Sequence, residues 1–337
     1  MTGPRLGFFS RLLEDAPAAD RYRFALEQIE AADRAGFSSA WVAQHHFSRD
    51  EGGLPSPLVL LAAAAARTTR IRLGTAVLTL PIDDPVRAAE DASVLDAMSG
   101  GRVQLGVAPG GTPASFAAFG RDPSHRAELF ADHLGVFRDA LAGLGVRGTD
   151  SRIYPASDGL SARIWQATFG AAGAVRAASA GDGLMLSRTQ EKPGGIPLHD
   201  AQLPIIEAYR GALDDGAAAR VLASRTAVVV DSDRDRTQLI EASRAQLERT
   251  ARSTVRIDPD GMSLDALVRA TDTHVGTVDE VVESLSADRA IAASTDVSFQ
   301  VHSLRADHET TLRSIELLAG VVAPHVGYGL TSDARAT

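Results

Sequence analysis

The sequence predicts an α/β protein, a (β/α)8 TIM barrel with excursions between the barrel units. Three observations carry that expectation. Eight short strand-like runs alternate with longer helix-like runs along the 337-residue chain, the order expected of parallel β/α units joined by right-handed connections. No linker, composition shift or internal repeat divides the chain, so residues 1–337 read as a single domain. Barrels of this kind also exceed the ~100–200 residues usual for one domain. A doubly wound open sheet shares the same alternation and is the second choice.

Taken in order, Arg5 to Phe9 is a first strand, and Asp20 to Ala35 is an amphipathic helix. Phe24, Ala25, Ile29 and Ala32 recur there at helical spacing, and Gly36 ends it. Ser39 to Ala43 is the second strand, a polar loop follows, and a helix runs from about Pro57 to Thr68. Ile71 to Leu78 is the third strand. Asp84-Pro85 opens a third helix that runs to Met98, with proline suited to a first turn. Ser99-Gly100-Gly101 turns into a fourth strand, Arg102 to Val107. Ala162 to Ala167 and Gly183 to Ser187 are the fifth and sixth. Val221 to Val230 is the most strongly β stretch, Val297 to Val301 closes the series, and His308 to Ala323 is a terminal helix. The irregular pieces Gly143 to Gly159, Glu191 to Pro197 and Ser253 to Thr277 read as excursions or lids.

Composition narrows the function. Cysteine is absent, which excludes a disulfide framework, thiolate metal ligation and a Cys nucleophile. The 34 Lys+Arg stand against 43 Asp+Glu, a net charge of −9 with no basic run. That balance argues against nucleic acid and against an anionic membrane surface. The longest apolar run, Leu58 to Ala66, has nine residues, far from the ~20 of a spanning helix. Met1 to Arg5 leads into Leu6 to Phe9, which Arg11 and Glu14 soon interrupt, unlike a signal peptide. A cytoplasmic protein is expected.

In a β/α barrel the site lies at the C-terminal ends of the strands. Strand two runs into Gln44-His45-His46-Phe47. Adjacent strand residues face opposite sides, so one histidine of the pair should face the barrel axis. That residue suits a general base or a donor to a ligand; the competing reading is a pair of satisfied loop histidines. Metal binding is not expected, since no HExxH spacing is present. Strand three offers small residues at Thr75-Ala76, room for something flat or simply barrel packing. Strand four leads through Gly106 into Ala108-Pro109-Gly110, a ligand-hugging loop or an ordinary turn. Strand five leads into Thr168-Phe169-Gly170-Ala171-Ala172-Gly173, small residues that leave a helix start open to phosphate, or that merely pack closely. Neither GxGxxG at a strand end, nor a Walker loop, nor a Gly-x-Ser-x-Gly elbow is found there. Asp83-Asp84 and Asp231-Ser232-Asp233 read as acidic turns or helix starts.

Three blocks, residues 41–47, 85–91 and 95–102, resemble the bacterial luciferase-like flavin monooxygenases in sequence, order and spacing. Weaker likenesses follow at 178–184, 204–210 and 274–281, and the FMN-dependent luciferase-like branch is the most similar. The resemblance implies a (β/α)8 barrel with FMN at its C-terminal face. Members take reduced FMN from a separate flavin reductase and use O2 to oxidise a small organic substrate. The family's Glu-His-His is Gln44-His45-His46 here. The resemblance therefore places His45 as the acid/base residue beside the flavin, His46 as its partner, and Gln44 at the cofactor. Thr75 and Ala76 match residues beside the isoalloxazine ring, and Ala108-Pro109-Gly110 match the strand-four end against it. Luciferase offers Cys and Arg where Ala108 and Pro109 stand, and its acidic and hydroxyl phosphate loop is replaced around Phe169 to Gly173. Phosphate binding is then expected from backbone amides at Gly170, Ala171, Ala172 and Gly173, with Thr168, Ser187 or Arg188. The resemblance also implies a homodimer formed through helices two and three, for which Leu58 to Ala66 and Val94-Leu95 are available.

Two rival readings accompany it. One is an F420-dependent oxidoreductase on the same barrel. The other is a flavin-binding protein without turnover, which the loss of phosphate side chains favours and the retained His45-His46 opposes.

Overall fold

The structure, a computed structural model, describes residues 3–48, 52–157, 159–300 and 304–331. The first half alternates as the pattern requires: β1 (Arg5–Ser10), α1 (Ala18–Arg34), β2 (Ser39–Val42), α2 (Pro57–Ala65), β3 (Arg72–Thr79), α3 (Pro85–Ser99) and β4 (Val103–Ala108). Helix α3 shows why the boundaries were readable. The Asp84 carboxylate accepts from the Val86 and Arg87 amides, Pro85 occupies the first turn, and Gly100 ends the helix at φ +68°. Two helices follow β4, α4 (Pro113–Ala118) and α5 (Arg126–Leu141).

The second half contains β5 (Ile164–Ala167), α6 (Ala171–Ser179), β6 (Gly183–Leu186), α7 (Leu198–Gly211), β7 (Val221–Val229) and α8 (Asp233–Thr250). The segment expected to be irregular, Ser253 to Thr277, instead holds α9 (Leu264–Ala270) and a short ninth strand, β8 (Thr273–Gly276). After α10 (Val278–Ser286) and α11 (Arg289–Ala292), β9 (Asp296–Gln300) ends the sheet; Val301, expected to continue it, lies outside the described residues. The terminal helix α12 (His308–Leu317) continues through a wider turn into α13 (Ala323–Val326), three residues past the expected end.

All pairings are parallel. The order β1-β2-β3-β4-β5-β6-β7-β9 closes back on β1, which makes an eight-stranded barrel, as expected from the alternation. The extra β8 pairs only with Thr226–Val229 of β7 and is not a barrel stave. Its four residues lie inside a polar stretch and are too few to show a period, which is why the pattern missed it.

Residues at alternate positions fill the barrel. At its N-terminal end Arg5 makes two hydrogen bonds to the buried Asp296 carboxylate, at 2.9 and 2.7 Å. Above this plug the two tryptophan rings meet edge to face, Trp41 and Trp165, with centroids 5.8 Å apart. Their indole N–H groups donate to Ser39 Oγ and Gln104 Oε1, each at 2.9 Å. Glycine is required beside each ring: a Cβ at Gly74 or Gly183 would lie 2.2 Å from Trp41 or Trp165.

Candidate active site at the barrel mouth

The tryptophans form a floor. Met185 and Leu222 complete it, and Phe9, Ala76, Val77 and Ala167 pack on it half-buried, toward the C-terminal ends of the strands. Small side chains at Ala76 and Ala167 leave an apolar shelf above the rings. The β3–β4 register slips between Thr75 and Leu78, so Ala76 and Val77 leave the ladder at the shelf. Thr75 is fully buried and its hydroxyl donates to the Gly106 carbonyl at 2.8 Å. Ala108, the last residue of β4, is nearly buried, while Pro109 and Gly110 are half-buried at the rim.

The loop after β2 separates its three polar residues. Gln44 is a strut: its Oε1 accepts from the Thr79 amide at 2.7 Å, and its Nε2 donates to Asp83 Oδ2 at 3.2 Å. It thereby ties the ends of β2 and β3 together. His45 is held in place by its amide, which donates to the Leu54 carbonyl at 2.9 Å. Burial first, then the charges of Arg11, His46 and Arg188, push its pKa down to about 3, so the imidazole is neutral. His45 also lines a cleft of about 680 Å³ between the loops after β1 and β2, with Arg21, Phe47 and Gly52. His46 turns elsewhere, edge-on to Phe119 at 4.9 Å, with its buried Nε2 lacking a hydrogen-bond partner. The alternation argument thus separates the pair, and His45 is the member beside the mouth's charges.

The second cluster of expected residues lies where β5 runs into α6. Gly170 begins the helix without any side-chain cap, and Ala171 and Ala172 are exposed. Thr168 Oγ1 accepts from the Gly170 amide at 3.2 Å and occupies the space a Cβ at Gly173 would need. The amides of the first helical turn therefore face outward unshielded, the arrangement that binds an anion. Ser187, one strand along, shares a 2.8 Å hydroxyl contact with Thr189.

Sequence reading named Arg188 only as an alternative phosphate ligand and missed the polar wall it forms with Gln300 and Ser224 opposite the shelf. Arg188 follows β6 and reaches to β9, where its Nε donates to Gln300 Oε1 at 2.7 Å. Gln300 is fully buried and its Nε2 has no partner; Ser224 Oγ on β7 is likewise buried and unpartnered. Burial and the nearby Arg11 push the Arg188 pKa down to about 9. The available signal was the period-two run Asp296, Ser298, Gln300, which puts polar side chains on the inner face of β9.

Another polar constellation lies away from the mouth. His274 Nδ1 is 2.5 Å from Ser284 Oγ, and its Nε2 is 3.9 Å from Asp288, beside a cavity of about 310 Å³. The order Ser–His–Asp resembles a hydrolytic triad, but Asp288 is already engaged. It receives two bonds from Arg225, at 2.6 and 3.2 Å, and caps α11 through the Ala290 and Ile291 amides. Burial drives the His274 pKa down to about 4, and its buried Nε2 has no hydrogen-bond partner, so no His–Asp relay is formed to activate the Ser284 hydroxyl. Among the described residues no group of three or more His, Asp or Glu is placed to hold a metal ion, and no helix is long and apolar enough to cross a membrane.

Comparison with known proteins adds the following. A family model described as luciferase-like monooxygenase matches residues 7–295. An uncharacterised protein of Sinorhizobium fredii, y4wF, is 39% identical over 145 residues, 42% of each chain. A second from that organism, y4vJ, is 27% identical and covers 92% of this chain and 93% of its own. The 4-hydroxyprotoasukamycin monooxygenase of Streptomyces nodosus subsp. asukaensis is 41% identical over 118 residues, 35% of this chain and 32% of its own length. The matched stretches thus span less than half of the first and third relatives. Among solved structures, the monooxygenase RslO1 of Streptomyces bottropensis superposes with a TM-score of 0.80 at 25% identity, covering 95% of this chain and 99% of that one. The oxygenating constituent of 3,6-diketocamphane monooxygenase from Pseudomonas putida, in complex with FMN, gives 0.77 at 19%, covering 98% and 100%. An F420-dependent secondary alcohol dehydrogenase gives 0.71 at 19%, covering 96% and 99%.

Proposed function

The chain belongs to the luciferase-like monooxygenase family, and on that premise we propose that it is an FMN-dependent monooxygenase. It takes reduced flavin from a separate reductase in the cytoplasm and uses O2 to oxidise a small organic substrate. The observation that carries this reading is the apolar shelf over the tryptophan floor, with an uncapped helix start at one edge and neutral His45 nearby. The residues present fit a flavin nucleotide. The shelf of Ala76, Val77 and Ala167 suits a flat ring system, and the Gly170 to Gly173 amides with Thr168 suit its phosphate.

Bound flavin would supply the electrons and the O2 chemistry. The chain supplies the rest. The Gly170–Gly173 turn anchors an anionic tail through backbone dipoles, in place of charged side chains. Gln44 and Thr75 fix the β2, β3 and β4 ends on which the shelf rests. His45, kept neutral, exchanges a proton with a bound group, and the barrel walls exclude water from the shelf. The whole chain acts as one barrel domain. We also place a homodimer interface on α2 and α3, where Val59, Val94 and Met98 are 72%, 44% and 59% exposed while Leu60, Leu61 and Leu95 are buried.

Anaerobic titration with reduced FMN and reduced F420 tests the cofactor. Binding of reduced FMN at micromolar concentration is expected, weakened at least tenfold when Gly173→Val displaces Thr168. Preferential binding of F420, the cofactor named for the dehydrogenase above, would refute the assignment. With a substrate panel and a flavin reductase, label from ¹⁸O2 is expected in the product. Flavin binding without any product would leave the non-catalytic reading standing instead.

A further inference from the structure

Resting on the reading of this mouth as a flavin site, we propose that the substrate carries a carboxylate. Arg188 and Gln300 receive it on the wall formed by β6, β7 and β9.

The wall offers donors and no charge to match them. Gln300 Oε1 already accepts from Arg188 Nε, so its amide is oriented with Nε2 outward, buried and without an acceptor. The buried Ser224 Oγ, on the adjacent strand, adds a further unpartnered group. Leaving such groups unmet is costly, and each is met by an oxygen acceptor placed between them. Among the described residues no carboxylate lies within ion-pair distance of Arg188, and the nearest charge influencing it is another cation, Arg11. Two fully buried cations elsewhere have a carboxylate, Arg225 with Asp288 and Lys192 with Asp272. At the mouth Arg188 has a neutral amide, Gln300, as its hydrogen-bond partner instead.

Geometry selects the substrate over the flavin phosphate as the source of the anion. The α6 start follows β5, on one side of β6. The Arg188 side chain leans the other way, across β7 toward Gln300 on β9. The Nη groups left by the Nε–Gln300 bond suit the two oxygens of a carboxylate. His45 cannot replace this cation, because burial first, and then the neighbouring cations, hold it uncharged.

The test uses the full-length protein and pairs of probes of equal shape: acetate with acetamide, benzoate with benzamide, and hexanoate with hexanamide. Binding is followed by calorimetry, with and without FMN. At least one carboxylate is expected to bind roughly tenfold or more tightly than its amide. Arg188→Gln should abolish that preference, Arg188→Lys should retain part of it, and FMN affinity should change less than about twofold in both. No discrimination in any pair, or discrimination that survives Arg188→Gln, overturns the proposal. Loss of FMN and inorganic phosphate binding in Arg188→Gln, with the carboxylate preference intact, would make Arg188 a phosphate ligand and also overturns it. If the wild type binds carboxylates through Arg188 but no flavin, the anion site stands and the flavin reading fails.

Discussion

Replacing Gln44 with glutamate, the residue the family places there, should destabilise this protein, and more at pH 8 than at pH 5. Glutamate can still accept from the Thr79 amide. It has no N–H for Asp83, so its second oxygen would face the Asp83 carboxylate at the 3.2 Å separation now bridged by the Gln44 amide. Asp83 is already disposed to hold a proton: burial raises its pKa, and the Gln44 bond is the largest opposing influence. Removing that bond and adding a second carboxylate raises both pKa values above those of the unfolded chain. The pair then shares a proton at low pH and repels once both groups ionise, so stability falls as pH rises. A hydrogen bond to a charged group contributes about 1.5–3 kcal/mol, and the half-buried setting favours the lower part, about 2 kcal/mol at pH 8. With about 2 °C per kcal/mol for a chain of this size, the melting temperature should drop by about 4 °C at pH 8 and by less than half of that at pH 5. Gln44→Met, which loses the bonds but adds no charge, should show a smaller difference between the two pH values, arising from Asp83 alone. An equal loss for Gln44→Glu at both pH values would refute the reasoning, because the pairing with Asp83 could then not be its cause.

Further outcomes follow from the same structure. Arg225→Met should cost about 3–5 kcal/mol in chemical denaturation by stranding the buried Asp288, and the double variant with Asp288→Asn should recover most of it. His45 and His274 take up protons in the unfolded chain below about pH 6.5 but in the folded one only near 3 and 4. Stability should therefore fall as pH drops below 6.5, by about 2 kcal/mol for each at pH 5, and the His45 ring carbon resonances should not titrate between pH 5 and 8 without ligand. Native mass spectrometry should show a dimer that the pair Val59→Arg and Met98→Glu converts to monomer; wild-type monomer would retire the α2–α3 interface.

The barrel was legible because its signals are local. Each of the eight staves is a short run that is apolar or alternates apolar with polar, and most are followed by a helix with its own start or stop, such as Asp84-Pro85 and Gly100 around α3. Where signals were absent, the reading failed. Strand β8 spans four residues in a polar stretch and is held by its ladder to Thr226–Val229 of β7, far back along the chain, rather than by a pattern of its own. Asp83 was read with Asp84 as an acidic turn or helix start. Only Asp84 caps the helix, because the side chain of Asp83 is drawn back under Gln44, a partner 39 residues away.

The candidate site divides along the same line. Its apolar and backbone parts are sequence-local: Ala76 on β3, Ala167 on β5, and the Gly170 to Gly173 turn each announce themselves by small side chains at a strand end. The polar wall does not. Ser224 and Gln300 stand on β7 and β9 and Arg188 on the loop after β6, and nothing in Leu186-Ser187-Arg188-Thr189 says that the arginine will find an amide rather than a carboxylate. What makes Arg188 the ligand-binding residue of our proposal is that, among the described residues, the closed barrel brings it an amide and no countercharge, and closure depends on every stave at once. The same closure determines His45. A histidine in an open loop would titrate near 6.5. Set beside Arg11 and Arg188 and shielded from water, it becomes a neutral group that can donate or accept a proton but cannot itself balance an anion. Proton exchange and charge recognition are thus assigned to different residues by one electrostatic arrangement. A substrate carboxylate seated on Arg188 would offset that residue's share of the influences, burial foremost, that hold His45 neutral. Its binding should therefore raise the His45 pKa, and a His45 titration unmoved by a carboxylate bound through Arg188 would show that the two residues are not coupled.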